Sequence, residues 1–186
     1  MATTLIAKRY AKAIFDLALE LNVVEDTRAD MELIMSVRSS NKDFVLLLKS
    51  PVVKPDKKMK IMNLIFSEKI SELSMRFLLL ITRKRREKFI FTIAEEFIEI
   101  YKKFKNIFTL HFESAKALSD DLRKKIIVLM EEQTGGTIDL QEEIKKELIG
   151  GFVMKYDDLK YDASIAYQLR KLKKSAAEIN LYIRGI

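Results

Sequence analysis

Ile107-Phe108-Thr109-Leu110-His111-Phe112-Glu113-Ser114 is the stretch at which the hydrophobic period of this chain changes. Phe108, Leu110 and Phe112 alternate with Thr109, His111 and Glu113, the two-residue repeat of a half-buried strand. Before it, apolar residues recur at three and four positions, the spacing of helices. The fold read from this switch is mainly α: an N-terminal six-helix bundle over residues 1–105, then a small α+β C-terminal domain over residues 106–186. Charge divides at the same place. Residues 1–105 carry 21 Lys and Arg against 14 Asp and Glu, whereas residues 106–186 carry 13 of each, so the net +7 lies wholly in the first part.

Working back from the switch, helical stretches are expected near 4–21, 24–38, 42–49, 56–67, 70–84 and 87–105. Their separators are Asn22, Asn41, the Ser50-Pro51-Val52-Val53-Lys54-Pro55 segment and the charged run Arg83 to Glu87. Each proline biases the residue before it away from helix. Ile90, Ala94, Phe97, Tyr101 and Phe104 give the last stretch one apolar side, fit to close a bundle. The first helix has more than one. Ile6, Tyr10, Ala13, Leu17 and Leu21 form a core-facing stripe, and Ala7, Ala11, Ile14, Phe15 and Ala18 widen the apolar arc to about 200°, against the roughly 100° that one core face needs. Two readings follow: a central helix of the bundle, or a helix whose alanine-rich flank belongs to a groove for a partner helix. Leu73 through Ile81 is apolar nearly all round and admits the same two readings.

Working forward, Ser119 is placed to cap a helix with Asp120 and Asp121 in its first turn, and Thr134-Gly135-Gly136 to stop it. A second strand is expected around Thr137 to Gln141 and a third around Gly150 to Tyr156, turning at Asp157-Asp158 toward Tyr161. A final helix is expected from Ser164 to Leu181, with Ile165, Leu169, Leu172, Ala176 and Ile179 on one side. Parallel crossovers are too few for a nucleotide-binding sheet.

Composition bounds the chemistry. With 48% hydrophobic and 33% charged residues, 2 prolines and 5 glycines, the chain falls in the ordered, helix-rich class. Cysteine is absent, which removes disulfides, thiolate metal sites and a cysteine nucleophile. His111 is the one histidine and lies on a strand, so it reads as a polar-face residue and not as a metal ligand. Glu142-Glu143 and Asp157-Asp158 read as solvated pairs. Neither Thr134-Gly135-Gly136-Thr137 nor Gly150-Gly151 continues into the Gly-Lys-Ser/Thr of a phosphate loop. Ser50, Ser114, Ser119 and Ser164 have no nucleophile elbow around them. No catalytic residue, cofactor or metal is therefore expected. Phe77 to Ile81, the most apolar run, is far short of the roughly 20 residues that span a bilayer. The opening Met1 to Tyr10 lacks the basic-then-apolar order of a secretory signal, and Asp16 is unlike a transit peptide, so no leader is expected. Arg83-Lys84-Arg85-Arg86 with Lys88 reads as a solvated helix end; the alternative is a basic nucleic-acid-binding module, which no stacking motif or reading helix accompanies.

The stretch Glu147-Leu148-Ile149-Gly150-Gly151-Phe152-Val153-Met154-Lys155, followed by Tyr161-Asp162-Ala163-Ser164-Ile165 and then Leu169 and Leu172, resembles the C-terminal signature of ATP synthase delta subunits and the oligomycin-sensitivity-conferring protein. Within it the glycines give backbone freedom where a strand begins, and Asp162 or Ser164 can cap the final helix. Arg9-Tyr10-Ala11-Lys12-Ala13-Ile14-Phe15-Asp16-Leu17-Ala18 is similar to that family's opening helix. Leu48 to Val53 is similar to its mid-bundle turn, and Ser114 to Ser119 to its strand-to-helix junction, so the resemblance covers nearly the whole chain. The run Arg83 to Glu87 is more basic than the family pattern.

The resemblance implies a non-catalytic stator subunit without cofactor. Its helical domain would bind the N-terminal helices of the alpha subunits on the catalytic head, and its C-terminal domain the b-subunit peripheral stalk. Nucleic acid is not an implied partner, and the membrane is met only through the complex, which for a bacterial protein means the cytoplasmic face of the inner membrane. The groove is then expected between Ala7, Ala11, Ile14, Phe15 and Ala18 of the first helix and Phe77, Leu78 and Ile81 of the fifth. On that expectation Ala11→Asp or Ala18→Asp would spare the fold and weaken partner binding.

Overall fold

The computed structural model describes residues 2–157 and 159–173. The chain divides into two compact units, one ending at Lys105 and the other beginning at Asn106.

The first unit is built from α1 (Ala2–Glu20), α2 (Val24–Ser40), α3 (Lys42–Lys49), α4 (Pro55–Phe66), α5 (Glu72–Arg83), a 3-10 turn (Glu87–Phe89) and α6 (Ile90–Phe104). Local chemistry sets the boundaries. Asn41 caps α3 by accepting from the Phe44 amide, Pro55 opens α4 at a position whose amide has no helical partner, and Ser71 caps α5. Asn22 ends α1 in the left-handed region at φ +56°, with the Val23 amide bonded back to the Ala18 carbonyl at 2.9 Å.

Helix α6 is the centre of this unit. Ile90, Ile93, Ala94 and Phe97 are fully or almost fully buried, and α1 and α2 lie along it. From α1 the contact is made by Ala7, Ala11, Ala18 and Phe15, whose ring meets Phe97 edge-on at 5.5 Å and Phe104 at the same distance. Three alanines let the helix backbones approach closely, and the aromatic rings fill the space beyond them. Phe44 extends the core by edge contacts to Phe66 and Phe91. Asp30 accepts from both the amide and hydroxyl of Ser71, tying α2 to the start of α5.

The second unit is a four-stranded mixed sheet in the order β2-β1-β3-β4: β1 (Ile107–Ser114), β2 (Thr137–Ile144), β3 (Phe152–Tyr156) and β4 (Leu159–Asp162). Strand β1 pairs in parallel with β2 and antiparallel with β3, and the crossover from β1 to β2 is α7 (Asp120–Thr134). Ser119 caps α7 by accepting from the Leu122 amide, and Gly135 ends it at φ +68°. Leu110, Met130 and Ile138 form the core between helix and sheet, with Phe108, Leu140 and Met154 packed against them. A 3-10 turn, Lys146–Leu148, leads into β3, and residues 165–173 are helical.

Three sequence expectations are corrected here. β2 runs to Ile144 and not Gln141, because every residue from Thr137 to Ile144 finds a partner on β1. β3 starts at Phe152 because Gly151 turns at φ +72°. Beyond the reversal, Leu159–Asp162 is a fourth strand paired with β3, where only a turn was expected. Of the final helix expected over 164–181, positions beyond 173, including Ala176 and Ile179, lie outside the described residues.

Two substitutions test this account of the sheet. A Cβ on Gly151 would sit 2.3 Å from the Ala163 carbonyl oxygen, whereas one on Gly135 meets nothing within 4 Å, although both residues have positive φ. Gly151→Ala is therefore expected to cost more than about 2 kcal/mol and Gly135→Ala about 1 kcal/mol in urea melts of the chain. Equal costs would mean that the close approach at Gly151 relaxes freely.

The Glu113 carboxylate, buried on β1, accepts from Lys155 and from Lys145, the latter at 2.9 Å. These two lysines, Lys155 first, hold it below the usual carboxylate range. A lowered folded pKa stabilises above the unfolded value near ~4.3, and that contribution is lost as pH falls through the folded value. Glu113→Gln should lower stability at pH 7 by about 1–3 kcal/mol and flatten its decline below pH ~4, measured by amide exchange on β1. An unchanged pH profile would contradict the assignment.

Candidate functional site: an apolar groove between α1 and α5

Burying Ala7, Ala11, Ile14, Phe15 and Ala18 leaves the leucines of α1 partly outside. Leu17 is 41% exposed and Leu21 55%, and on α5 Leu80 is 47% exposed. With Tyr10, Ala13, Ile14, Leu73 and Phe77 these residues line a concavity of about 480 Å³ between the two helices. Tyr10 and Phe77 meet edge-on at 6.3 Å within it. The Arg86 guanidinium lies over the Tyr10 ring at 5.5 Å and donates to its hydroxyl at 2.8 Å. Glu72 and Arg76 form an exposed ion pair beside the groove. A long apolar trough of this size with a polar rim fits the apolar face of an amphipathic helix, read at three- and four-residue spacing.

This turns the sequence expectation for α1 round. Ala7, Ala11, Phe15 and Ala18, expected to line the groove, are core residues against α6, and Leu78 and Ile81 of α5 are buried too. Of the eight residues named, Phe77 lines the groove, and Ile14, only 2% exposed, is a core residue at its floor. Of the stripe assigned to the core, Ile6, Tyr10, Ala13, Leu17 and Leu21, all but the half-buried Ile6 line the groove instead. The inward face carries three alanines, which allow close helix approach, with Ile14 and Phe15 filling the space beside them, and the Tyr10, Leu17 and Leu21 side is left outside. Ala11→Asp and Ala18→Asp would thus place an unpaired carboxylate in the core, not on a binding surface.

In the C-terminal unit the signature residues have structural duties. Ser164 caps the last described helix by accepting from the Tyr167 amide at 3.1 Å, while Asp162 accepts from the Ser164 amide and hydroxyl, which lowers its pKa. A Cβ on Gly150 would press into the Ile165 side chain at 2.6 Å, so both signature glycines allow the strand entry to pack on the start of that helix. Phe152 stacks on Phe112 with ring centroids 5.1 Å apart. Leu148 is half-buried, and Ile149, a β-branched residue at φ +65°, is exposed. Ile165, Leu169 and Leu172 are exposed, as are Leu159 and Tyr161 on β4.

Glu142, exposed as expected, lies on β2 and accepts two bonds from the Arg123 guanidinium on α7, which hold its carboxyl below the usual range. Glu143 pairs with Lys145. His111 is exposed on β1. No cluster of three metal-ligating side chains exists among the described residues, and no described helix is long and apolar enough to cross a membrane.

Both units expose large apolar side chains, among them Leu17, Leu21 and Leu80 in the first and Leu159 and Tyr161 in the second. Comparison with known proteins makes this specific. The family model for the ATP synthase delta (OSCP) subunit matches residues 6–176. ATP synthase subunit delta of Cytophaga hutchinsonii is 34% identical over 96% of this chain and 97% of its own length, and that of Chlorobaculum tepidum 32% over 94% and 97%. Among solved structures, a chain of the Toxoplasma gondii mitochondrial ATP synthase hexamer shares the fold, with a TM-score of 0.73 at 20% identity, covering 92% of this chain and 97% of its own. The chain belongs to the ATP synthase delta (OSCP) subunit family, a non-catalytic structural subunit of that membrane-associated complex.

Paired substitutions on α1 test the assignment of faces. Leu17→Asp is expected to leave helicity and melting temperature within error of the parent, whereas Ala11→Asp should destabilise the first unit by about 3 kcal/mol or more, both read by circular dichroism. Equal tolerance of the two would contradict the packing described.

Proposed function

We propose that the chain is the stator link of an F-type ATP synthase, holding the catalytic alpha/beta head to the b-subunit peripheral stalk so that the head does not co-rotate with the central shaft. In this reading the α1–α5 groove receives the amphipathic N-terminal helix of an alpha subunit. The C-terminal unit meets the end of the b-subunit stalk, and the protein sits at the cytoplasmic face of a bacterial inner membrane, bound through its partners. The observation that carries the reading is the groove itself: half-exposed leucines on two neighbouring helices, in a family of ATP synthase subunits. The exposed Leu159 and Tyr161 of β4, next to the stacked Phe152, support an apolar contact for the stalk on the second unit.

A torque-bearing joint needs a slow off-rate, which desolvated apolar contact supplies; charge mainly accelerates encounter. Completing the burial of a half-exposed leucine contributes on the order of 1 kcal/mol, so several such residues account for a tight helix contact. Calorimetric titration of the full chain with a peptide of the cognate alpha-subunit N-terminus should give saturable one-to-one binding with a negative heat-capacity change. Leu17→Asp should weaken it by about tenfold or more. Failure of the folded chain to bind, or full affinity of the Leu17→Asp variant, would overturn the groove assignment.

A further inference from the structure

The basic run Arg83–Arg86 and Lys88 has no part in the groove's apolar contact, yet it stands at the groove's end. Arg86 packs on the Tyr10 ring, and the residues that follow turn away into a second cleft of about 450 Å³. Arg85 and Lys88 line that cleft together with Lys49, at the end of α3, and Lys54, just before α4. All four are exposed, and none has an acidic partner among the described residues.

The cleft is built, not incidental. At its base lies Lys58, 1% exposed, whose ammonium donates to the Leu48 carbonyl at 3.0 Å, the Ser50 carbonyl at 2.7 Å and Glu87 Oε1 at 2.5 Å. One buried cation thereby ties the Leu48–Ser50 segment to the 3-10 turn. Glu87, the one acid lining the cleft, is engaged by Lys58 and leaves the rim charge uncompensated. Arg85 itself occupies the left-handed position that ends α5, at φ +57°, with the Arg86 amide bonded back to the Ile81 carbonyl at 3.0 Å. Glycine is the usual residue there; an arginine keeps a cation at the mouth of the cleft at a conformational cost.

Building on the docking reading above, we propose that the cleft receives an acidic segment adjoining the amphipathic helix in the groove. The partner would thus be a bipartite peptide, apolar stripe first along α1 and α5 and then carboxylates past Tyr10. Two properties of the surface carry this: Arg86, which lies on the groove residue Tyr10, is flanked in sequence by the cleft residues Arg85 and Glu87, and the unpaired charge of the cleft is of one sign. Because the groove's own lining cation, Arg76, is paired with Glu72 while the unpaired cations line the cleft near Tyr10, the effect must depend on which end of the helix bears the acid, which general attraction to a +7 chain would not.

The test titrates the full chain with the cognate alpha-subunit N-terminal peptide extended by four glutamates or four glutamines, at the N-terminus or the C-terminus in turn. At low salt, about 50 mM, glutamates at one terminus should bind roughly tenfold tighter than glutamines, and glutamates at the other terminus should gain little. The gain should vanish in a Lys49→Gln, Lys54→Gln, Lys88→Gln variant, which changes only exposed side chains, and at about 0.5 M salt. With the glutamine peptides still binding, equal gain at both termini, no gain at either, or a gain that survives the triple variant would overturn the inference and leave the groove reading standing. Glutamine peptides that fail to bind at either terminus would overturn the groove reading, and this one with it.

Discussion

The contact on which the first unit depends is the alanine face of α1 laid along α6. Ala7, Ala11 and Ala18 let the two helices approach until Phe15 can reach Phe97 and Phe104, and that approach decides what α1 shows on its other side. A helix with apolar residues over most of its circumference cannot bury all of them in a bundle of this size. The small ones go to the contact line and the leucines are left half in water. The groove is thus a consequence of core packing, and an apolar concavity of this kind is the surface on which the proposed docking rests.

This constraint also explains what could be read from the sequence and what could not. The switch at Ile107 from helical to alternating period was legible because Phe108, Leu110 and Phe112 leave no helical interpretation. The caps at Ser119 and Gly135 were legible because their chemistry is local. The face of α1 was not, since two stripes of similar hydrophobicity differ only in size, and size matters once the neighbouring helix is known. The signal was present in the alanine spacing 7, 11, 18, which is that of a close helix contact. β4 was missed because Leu159 and Tyr161 make a strand only by pairing with β3, and four residues carry too little pattern of their own. The pairing of Glu142 with Arg123 was hidden for the same reason, as it joins residues 19 positions apart.

The two units divide the work in a way the residue chemistry supports. Where the chain has buried polar groups, they hold backbone segments in place: Asp30 on Ser71, Lys58 on the Leu48–Ser50 carbonyls, Glu113 between two lysines, Asp162 on Ser164. Each fixes a junction within its unit, while apolar side chains such as Leu17, Leu21 and Leu80 stay exposed.

The central claim is that the leucine face of α1 and α5 is the docking surface and the alanine face is core. Methyl-resolved NMR of the 21.7 kDa chain during titration with the intact catalytic head tests it most directly. The account predicts that the methyl signals of Leu17, Leu21, Leu73 and Leu80 shift or broaden first, while those of Ala7, Ala11 and Ala18 follow only slightly. Perturbation confined to another surface of the first unit, with those leucines unchanged at saturation, would contradict it.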